Sequence, residues 1–341
     1  MKRVLITGGC GFIGSAFIRH LLSHHPDYEV VNFDKLTYAG NPDNVAECET
    51  EPRYSFVNGD ICDAAAVETA LAGCDAVVNF AAETHVDRSL TDAGAFIQTD
   101  VYGVFVLLEA ARKAGVERFV QISTDEVYGP RFANDPAKED DAFAPHNPYA
   151  ASKAGAEMQC QAFYHTYRLP VMVTRSANNV GPRQHPEKQL PLFITNALED
   201  KPLPVYGEGK QIRDRLYVDD NCEAIDLVLH KGHVGEAYNI GAKNERTNLD
   251  VAETILRLLG KPRDLIRFVE DRAGHDPRYS LDTSKIRGLG WAPKHDYGEA
   301  MARTVNWYQQ NRIWWTRAKS GEYEAYYEQQ YGERLANAKP I

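Results

Sequence analysis

Two groups of side chains in this 341-residue chain have the types and spacing of acid–base chemistry. The first is Thr124-Asp125-Glu126, a hydroxyl followed by two adjacent carboxyls. Neighbouring carboxyls resist ionising together, so one holds a proton while the other carries charge, which sets an acid beside a base. The second is Tyr149 and Lys153, four residues apart and therefore neighbours on one helical face. An ammonium beside a phenol stabilises the phenolate and lowers its pKa, which suits the phenol to act as a base near neutral pH. Both groups also have ordinary explanations. Polar residues after a strand form turns and caps, and Tyr and Lys occupy exposed helix faces. Their surroundings decide between the two.

The acid pair follows Phe119-Val120-Gln121-Ile122, a short β-branched and aromatic run that reads as a strand. Open α/β sheets hold ligands in the crevice at the carboxyl ends of their strands. Upstream, the strand Val4-Leu5-Ile6 runs into a turn with glycines at 8, 11 and 14, then an expected helix over 15–24. Missing side chains let such a turn tighten, let backbone approach a pyrophosphate, and let helix pack close to strand. The helix N-terminus offers free N–H groups to the phosphates. A second strand, Val30 to Phe33, ends in Asp34, roughly 20 residues beyond Gly14. A carboxylate there accepts from a ribose 2′-hydroxyl and repels a 2′-phosphate, which favours NAD over NADP.

The alternation continues with strands at 54–58 and 76–80. Gly59-Asp60-Ile61 is an expected resting place for adenine, and Phe80-Ala81-Ala82 leaves room for a cofactor. A helix is expected over 96–114, with Val101, Val104, Phe105 and Leu108 at helical spacing and Gly115 as its stop. A polar, proline-containing loop spans 130–148, and the helix that opens at Tyr149 follows it. The fold class is α/β, a doubly wound parallel Rossmann sheet. After a strand at 171–174 the rhythm weakens. This divides the chain into an NAD-binding domain, 1–177, and a smaller C-terminal α/β substrate domain, 178–335. Short extended pieces are expected at 203–206 and 213–218, and Asp219 is the expected cap of a helix through His230. A strand at 237–241 can return to the first sheet. A helix over 249–259 stops at Gly260-Lys261-Pro262. The Trp- and Tyr-rich tail, 307–331, reads as packing without a catalytic role.

Composition bounds the partners. Lys plus Arg is 38 and Asp plus Glu is 48, a formal charge of −10 that argues against nonspecific binding to nucleic acid or anionic membrane. The cysteines at 10, 48, 62, 74, 160 and 222 form no C-x-x-C pair, which implies reduced thiols. The histidines show no ligand spacing, so no metal is expected. The first apolar run stops at Thr7, unlike a signal peptide, and no stretch reads as long and apolar enough to span a bilayer. These features together imply a soluble cytoplasmic protein.

T-G-G-C-G-F-I-G (7–14), S-T-D-E-V-Y-G (123–129) and Y-A-A-S-K (149–153) resemble the extended short-chain dehydrogenase/reductase family. Within it, the acid pair resembles the nucleotide-sugar 4,6-dehydratases that act on dTDP-glucose. F-A-A-E-T-H-V-D-R-S (80–89), H-P-E-K-Q-L-P-L (185–192), Q-I-R-D-R-L-Y-V-D-D (211–220), D-R-A-G-H-D (271–276) and W-Y-Q-Q-N-R-I-W-W (307–315) extend the likeness over nearly the whole chain. The resemblance implies a mechanism. Tyr149, helped by Lys153, takes the proton of the sugar 4-hydroxyl while hydride passes from carbon 4 to NAD. Glu126 removes the proton on carbon 5, and Asp125 protonates the 6-hydroxyl as it leaves. Hydride returns to carbon 6, giving a 4-keto-6-deoxy sugar and regenerated NAD. Thr124 hydrogen-bonds the 4-oxygen.

The same resemblance implies a cofactor site of Gly8, Gly11, Phe12, Ile13, Gly14, Asp34, Lys35, Leu36, Thr37, Asp60, Ile61, Phe80, Ala81, Ala82, Thr84, Thr99, Tyr149, Lys153 and Asn179. It implies a nucleotide-sugar site of Thr84, Thr124, Asn178, Lys188, Gln189, Leu190, Pro204, Val205, Tyr206, Arg213, Asn248, Asp271, Arg272, Gly274 and His275. Arg213 suits a diphosphate, since its planar fork pairs two oxygens at once. A homodimer packed through helices near 96–114 and 149–166 is also implied. Ala177 and Val180 stand where relatives often carry Ser and Tyr, Arg215 stands where Trp is common, and Pro277 interrupts a usually charged run. The alternatives are a 4,6-dehydratase for another nucleotide sugar, a 4-epimerase that keeps the 6-hydroxyl, or a non-catalytic dinucleotide sensor. Such sensors tend to lose the Tyr/Lys pair, and this chain has both residues.

Overall fold

The inner strands of the large sheet are buried on both faces, as strands beneath helices on either side must be, while its edge strand Tyr54–Asn58 is largely exposed. The computed structural model describes residues 1–131 and 135–341, so part of the loop expected at 130–148 lies outside the described residues. The strands are β1 (Arg3–Thr7), β2 (Glu29–Asp34), β3 (Tyr54–Asn58), β4 (Ala76–Asn79), β5 (Arg118–Thr124), β6 (Val171–Ser176) and β7 (Asn178–Val180). They continue with β8 (Leu203–Tyr206), β9 (Ile212–Tyr217), β10 (Ala237–Ile240), β11 (Glu245–Thr247), β12 (Ile266–Val269) and β13 (Lys339–Pro340). Seven of them form one sheet in the order β10-β6-β5-β4-β1-β2-β3, and every pairing in it is parallel. The order reverses beside β1, and the crevice at that reversal is where doubly wound sheets bind ligands.

One face of the sheet packs against helices Phe12–His24 and Val218–Lys231 through Phe17, Leu21, Ile225 and Val228. The other face packs against Ala64–Leu71, Val104–Ala114 and Pro148–Tyr167 through Val67, Leu107, Leu108 and Cys160. The remaining strands form two small sheets, β11-β9-β7 and β13-β12-β8. A separate apolar cluster beneath them includes Phe193, Ile255, Met301, Trp314, Trp315 and Tyr331, so the aromatic tail packs there.

Several local features differ from expectation. The helix Val218–Lys231 does not stay with the small sheets but covers the large one, while β10 pairs with β6, the return expected of a strand at 237–241. Asp219 lies in the first turn of that helix, and the cap is Tyr217, without a side-chain bond. The helix before Gly115 is not uniform. It runs as Ala93–Phe96, then a π-helical stretch Ile97–Gly103, then Val104–Ala114. By length and composition 93–114 is apolar enough to cross a membrane, which corrects the reading that no stretch is. Here its inner face packs on the sheet through Val104, Leu107, Leu108 and Ala111, while Ile97, Tyr102 and Phe105 are exposed. The following helix begins at Pro148, whose fixed φ suits a first helical position, with Asn147 Oδ1 accepting from the Ala150 N–H at 2.8 Å.

Candidate active site

The carboxyl ends of β1, β2, β4, β5 and β6 meet the small sheets around a cavity of about 400 Å³. At one end lies the glycine turn. A Cβ on Gly8, which has φ +67°, would meet the Ala81 nitrogen at 2.6 Å, and one on Gly14 would meet the Gly8 oxygen at 2.3 Å. Only glycine lets β1, the end of β4 and the helix start approach this closely. No side chain caps the helix that opens at Phe12. The N–H groups of its first turn are thus left for a ligand, and Phe12, Ile13 and Gly14 line the cavity.

Asp34 is held by two backbone donors, Cys10 N–H to Oδ2 and Leu36 N–H to Oδ1, each at 2.8 Å. Burial raises its pKa, against those bonds. The carboxylate is fixed with acceptor capacity left over for hydroxyls. Lys35 pairs with Asp60 at 2.7 Å beside Ile61. The turn, the uncapped helix and the fixed carboxylate fit a dinucleotide's diphosphate and ribose.

Thr124, Asp125 and Glu126 are all buried at the end of β5. Thr124 caps the short 3-10 turn Asp125–Tyr128, its Oγ1 accepting from the Glu126 N–H at 3.3 Å. Asn147 Nδ2 donates to Glu126 Oε2 at 3.1 Å, and the Tyr279 hydroxyl lies 3.2 Å from the same oxygen. Burial, reinforced by the charge of Glu126, pushes the Asp125 carboxyl up to about 8. Asp125 is thereby held toward its protonated form, adjacent in sequence to a second carboxyl, Glu126, that Asn147 and Tyr279 hold.

The second group corrects one expectation. Burial, followed by the charges of Glu126 and Asp100, raises the Tyr149 phenol well above its ordinary value, with a hydrogen bond to Thr124 acting the other way. The Lys153 ammonium is itself depressed by burial, against the charges of Asp100 and Glu157. Asp100 sits on the π-helical stretch, where the wider turn places a polar residue inside. It accepts from Ser152 Oγ at 2.6 Å and the Glu83 N–H at 2.8 Å, and burial raises its pKa to about 6. An Asp within an apolar helical pattern was the available signal for it.

Most of the remaining expected residues line the cavity: Thr37, Phe80, Ala82, Thr84, Thr99, Asn178, Asn179, Lys188, Gln189, Leu190, Pro204, Tyr206, Arg213, Asn248, Arg272 and His275. Leu36, Val205, Asp271 and Gly274 do not. Val205 alternates with Pro204 and Tyr206 on β8, so its side chain enters the core instead. Asp271 stands behind the wall, bound to His275 Nδ1 at 2.6 Å and Gln211 Nε2 at 2.9 Å. Gly274 is an exposed turn residue at φ +63°. Leu36 packs its side chain against the sheet's core and offers only its N–H, to Asp34. Lys188 reaches the Thr84 carbonyl, and burial lowers its pKa to about 8.

Residues 5–304 match the family described as GDP-mannose 4,6 dehydratase. The chain belongs to that family. Among its relatives, the low-salt glycan biosynthesis protein Agl12 of Haloferax volcanii is 50% identical, over 89% of this chain and 98% of its own length. A dTDP-glucose 4,6-dehydratase of Neisseria meningitidis serogroup B is 48% identical, over 99% of this chain and all of its own. The dTDP-glucose 4,6-dehydratase DesIV of Streptomyces venezuelae, solved as a double mutant with NAD and DAU bound, superimposes with a TM-score of 0.91. Its identity is 48%, covering 93% of this chain and 100% of that one.

On this dehydratase-family framework, further residues reach the cavity that sequence reading did not single out, Tyr38, Glu83, Asp87, His185, Glu187 and Tyr331, and so does Arg215, noted in the sequence only as a departure from relatives. Asp87 accepts from Arg272 Nη1 at 2.8 Å and lies 3.1 Å from the Tyr206 hydroxyl. Tyr331 comes from the tail read as packing, and it does both. The scattered histidines also draw together. His25, Asp226 and His230 place ligand atoms within 4.8 Å of one another. These atoms already pair among themselves, His25 Nε2 and His230 Nδ1 each lying 3.0 Å from Asp226 Oδ1.

Proposed function

We propose that this protein converts dTDP-glucose to dTDP-4-keto-6-deoxyglucose, keeping one NAD bound through each turnover. Asp125 carries this reading, because a buried carboxyl kept toward its protonated form beside the charge of a second one is what loss of water from a sugar requires. Relatives near half identity that are dTDP-glucose 4,6-dehydratases support it. NAD, when bound, accepts and returns a hydride and adds a positive charge to the pocket. The glycine turn and the free N–H groups of the first helix hold the diphosphate, and Asp34 holds the ribose hydroxyls. Tyr149 takes the proton of the 4-hydroxyl, with Thr124 on the same oxygen. The ketone at carbon 4 acidifies the proton on carbon 5, which Glu126 removes. Asp125 gives its proton to the departing 6-hydroxyl, which leaves as water, and Glu126 returns its proton to carbon 5 to complete the 4-keto-6-deoxy product. Each such proton transfer is worth roughly 10²–10⁴-fold in rate.

Incubation with dTDP-glucose, read by mass spectrometry and absorbance, tests the proposal. The expected product is lighter by one water, with no net NADH. A product of unchanged mass would show a 4-epimerase instead. A panel of other nucleotide sugars, assayed the same way, fixes the preferred one. We further read the protein as a cytoplasmic homodimer. Six unpaired cysteines suit a reducing compartment. Exposed Ile97, Tyr102, Phe105, Met158 and Tyr167 on adjacent helices form the expected contact face.

A further inference from the structure

Three arginines reach the cavity wall, and they are not equally satisfied. Arg272 has a carboxylate, Asp87, at 2.8 Å. Arg213 and Arg215 are both buried and have no carboxylate partner among the described residues. They stand two apart on β9 and so project to the same face of the strand. Arg213 donates to the carbonyls of Ile212 and Asp276, each at 2.8 Å, and lies 4.1 Å over the Tyr279 ring. Arg215 Nη2 donates to Gln189 Oε1 at 3.1 Å and Asn248 Oδ1 at 3.0 Å. Its Nε is buried without a partner. Burial, and then the neighbouring charge of Arg213, lower its pKa to about 10, so it stays charged at neutral pH. A buried cation held only by neutral amides is costly, and an anion that enters the cavity removes that cost.

We propose that Arg215 is an anion-binding residue of this site and pairs with Arg213 to hold the diphosphate of the nucleotide sugar. Two planar guanidinium forks on one strand face match the several oxygens of a diphosphate, which a single fork only partly engages. Gln189 and Asn248, which also line the cavity, fix the direction of the Arg215 fork. The inference rests on the reading that the cavity takes a nucleotide sugar.

Isothermal titration of the purified holoenzyme with thymidine diphosphate, uridine diphosphate and thymidine tests it, in the wild type, Arg215→Lys and Arg215→Gln. Arg215→Gln is expected to weaken both diphosphates by roughly 30-fold or more and to leave thymidine within about twofold. Arg215→Lys keeps the charge but not the fork, and should show a smaller loss confined to the diphosphates. This variant serves as the test if Arg215→Gln does not fold. Equal losses for thymidine and thymidine diphosphate would overturn the proposal, since Arg215 would then only shape the wall. So would unchanged diphosphate affinity in both variants. A wild type that binds neither diphosphate would instead sink the nucleotide-sugar reading, which separates the two failures.

Discussion

At the residue scale, the decisive quantity is the protonation of Asp125. With its carboxyl pushed up to about 8, it is an acid through neutral pH and loses that ability above. Turnover of dTDP-glucose should therefore fall as pH rises through about 8, and a kcat profile flat to pH 10 would contradict the assigned role. The same shift acts on stability. The unfolded Asp releases its proton near its ordinary value, while the folded one keeps it to about 8. Its contribution is thus fully present below about 4 and is lost as pH rises to about 8. Asp125→Asn removes this dependence, so its Tm should decline less than the wild type's between pH 5 and 8. Asp125→Asn and Glu126→Gln should each lower kcat by roughly 10²–10⁴-fold. The pair was legible because its members adjoin in sequence, where mutual repulsion can be read directly. Asn147 and Tyr279, which hold Glu126, were not legible, since Tyr279 arrives from 153 residues away.

At the scale of elements, the glycine turn was readable because its constraint is local. The sequence shows that three side chains are missing, and the structure shows what they would strike. Gly14→Ala places a Cβ 2.3 Å from the Gly8 oxygen, so the turn must open or the helix must shift. The expected result is a variant destabilised by about 1–3 kcal/mol that binds dinucleotide far more weakly, by thermal melt and titration. A variant with wild-type NAD affinity would mean that the close approach is not needed for binding. The π-helical stretch was not readable. Its apolar spacing continues that of the flanking α-helices, and only the buried Asp100 betrays the wider turn. From this stretch Asp100 accepts from Ser152 Oγ, and its charge acts on Lys153. Asp100→Ala is therefore expected to lower kcat.

At the scale of the whole molecule, periodicity identifies a helix or a strand but not the sheet it joins. The return of residues 218–240 to the large sheet was only half visible for that reason, and β13, two residues long, carried no pattern at all. Assembly is a matter of the same scale. Ile97 is 61% exposed and Phe105 40%, on a helix whose other face is sealed against the sheet. Tyr102, Phe105, Phe163 and Tyr167 make a continuous aromatic path onto the neighbouring helix, with successive centroids 6.1, 6.1 and 5.1 Å apart. Apolar surface joined across two helices is the kind that a second copy covers. Because the exposed members support little of the core, charge placed there should separate subunits without unfolding them. The double variant Ile97→Glu, Phe105→Glu should sediment at 38.2 kDa with a Tm close to the wild type's, while the wild type sediments at twice that mass. A wild type already at the lower mass, or a variant that remains at the higher one, would remove this face from the assembly.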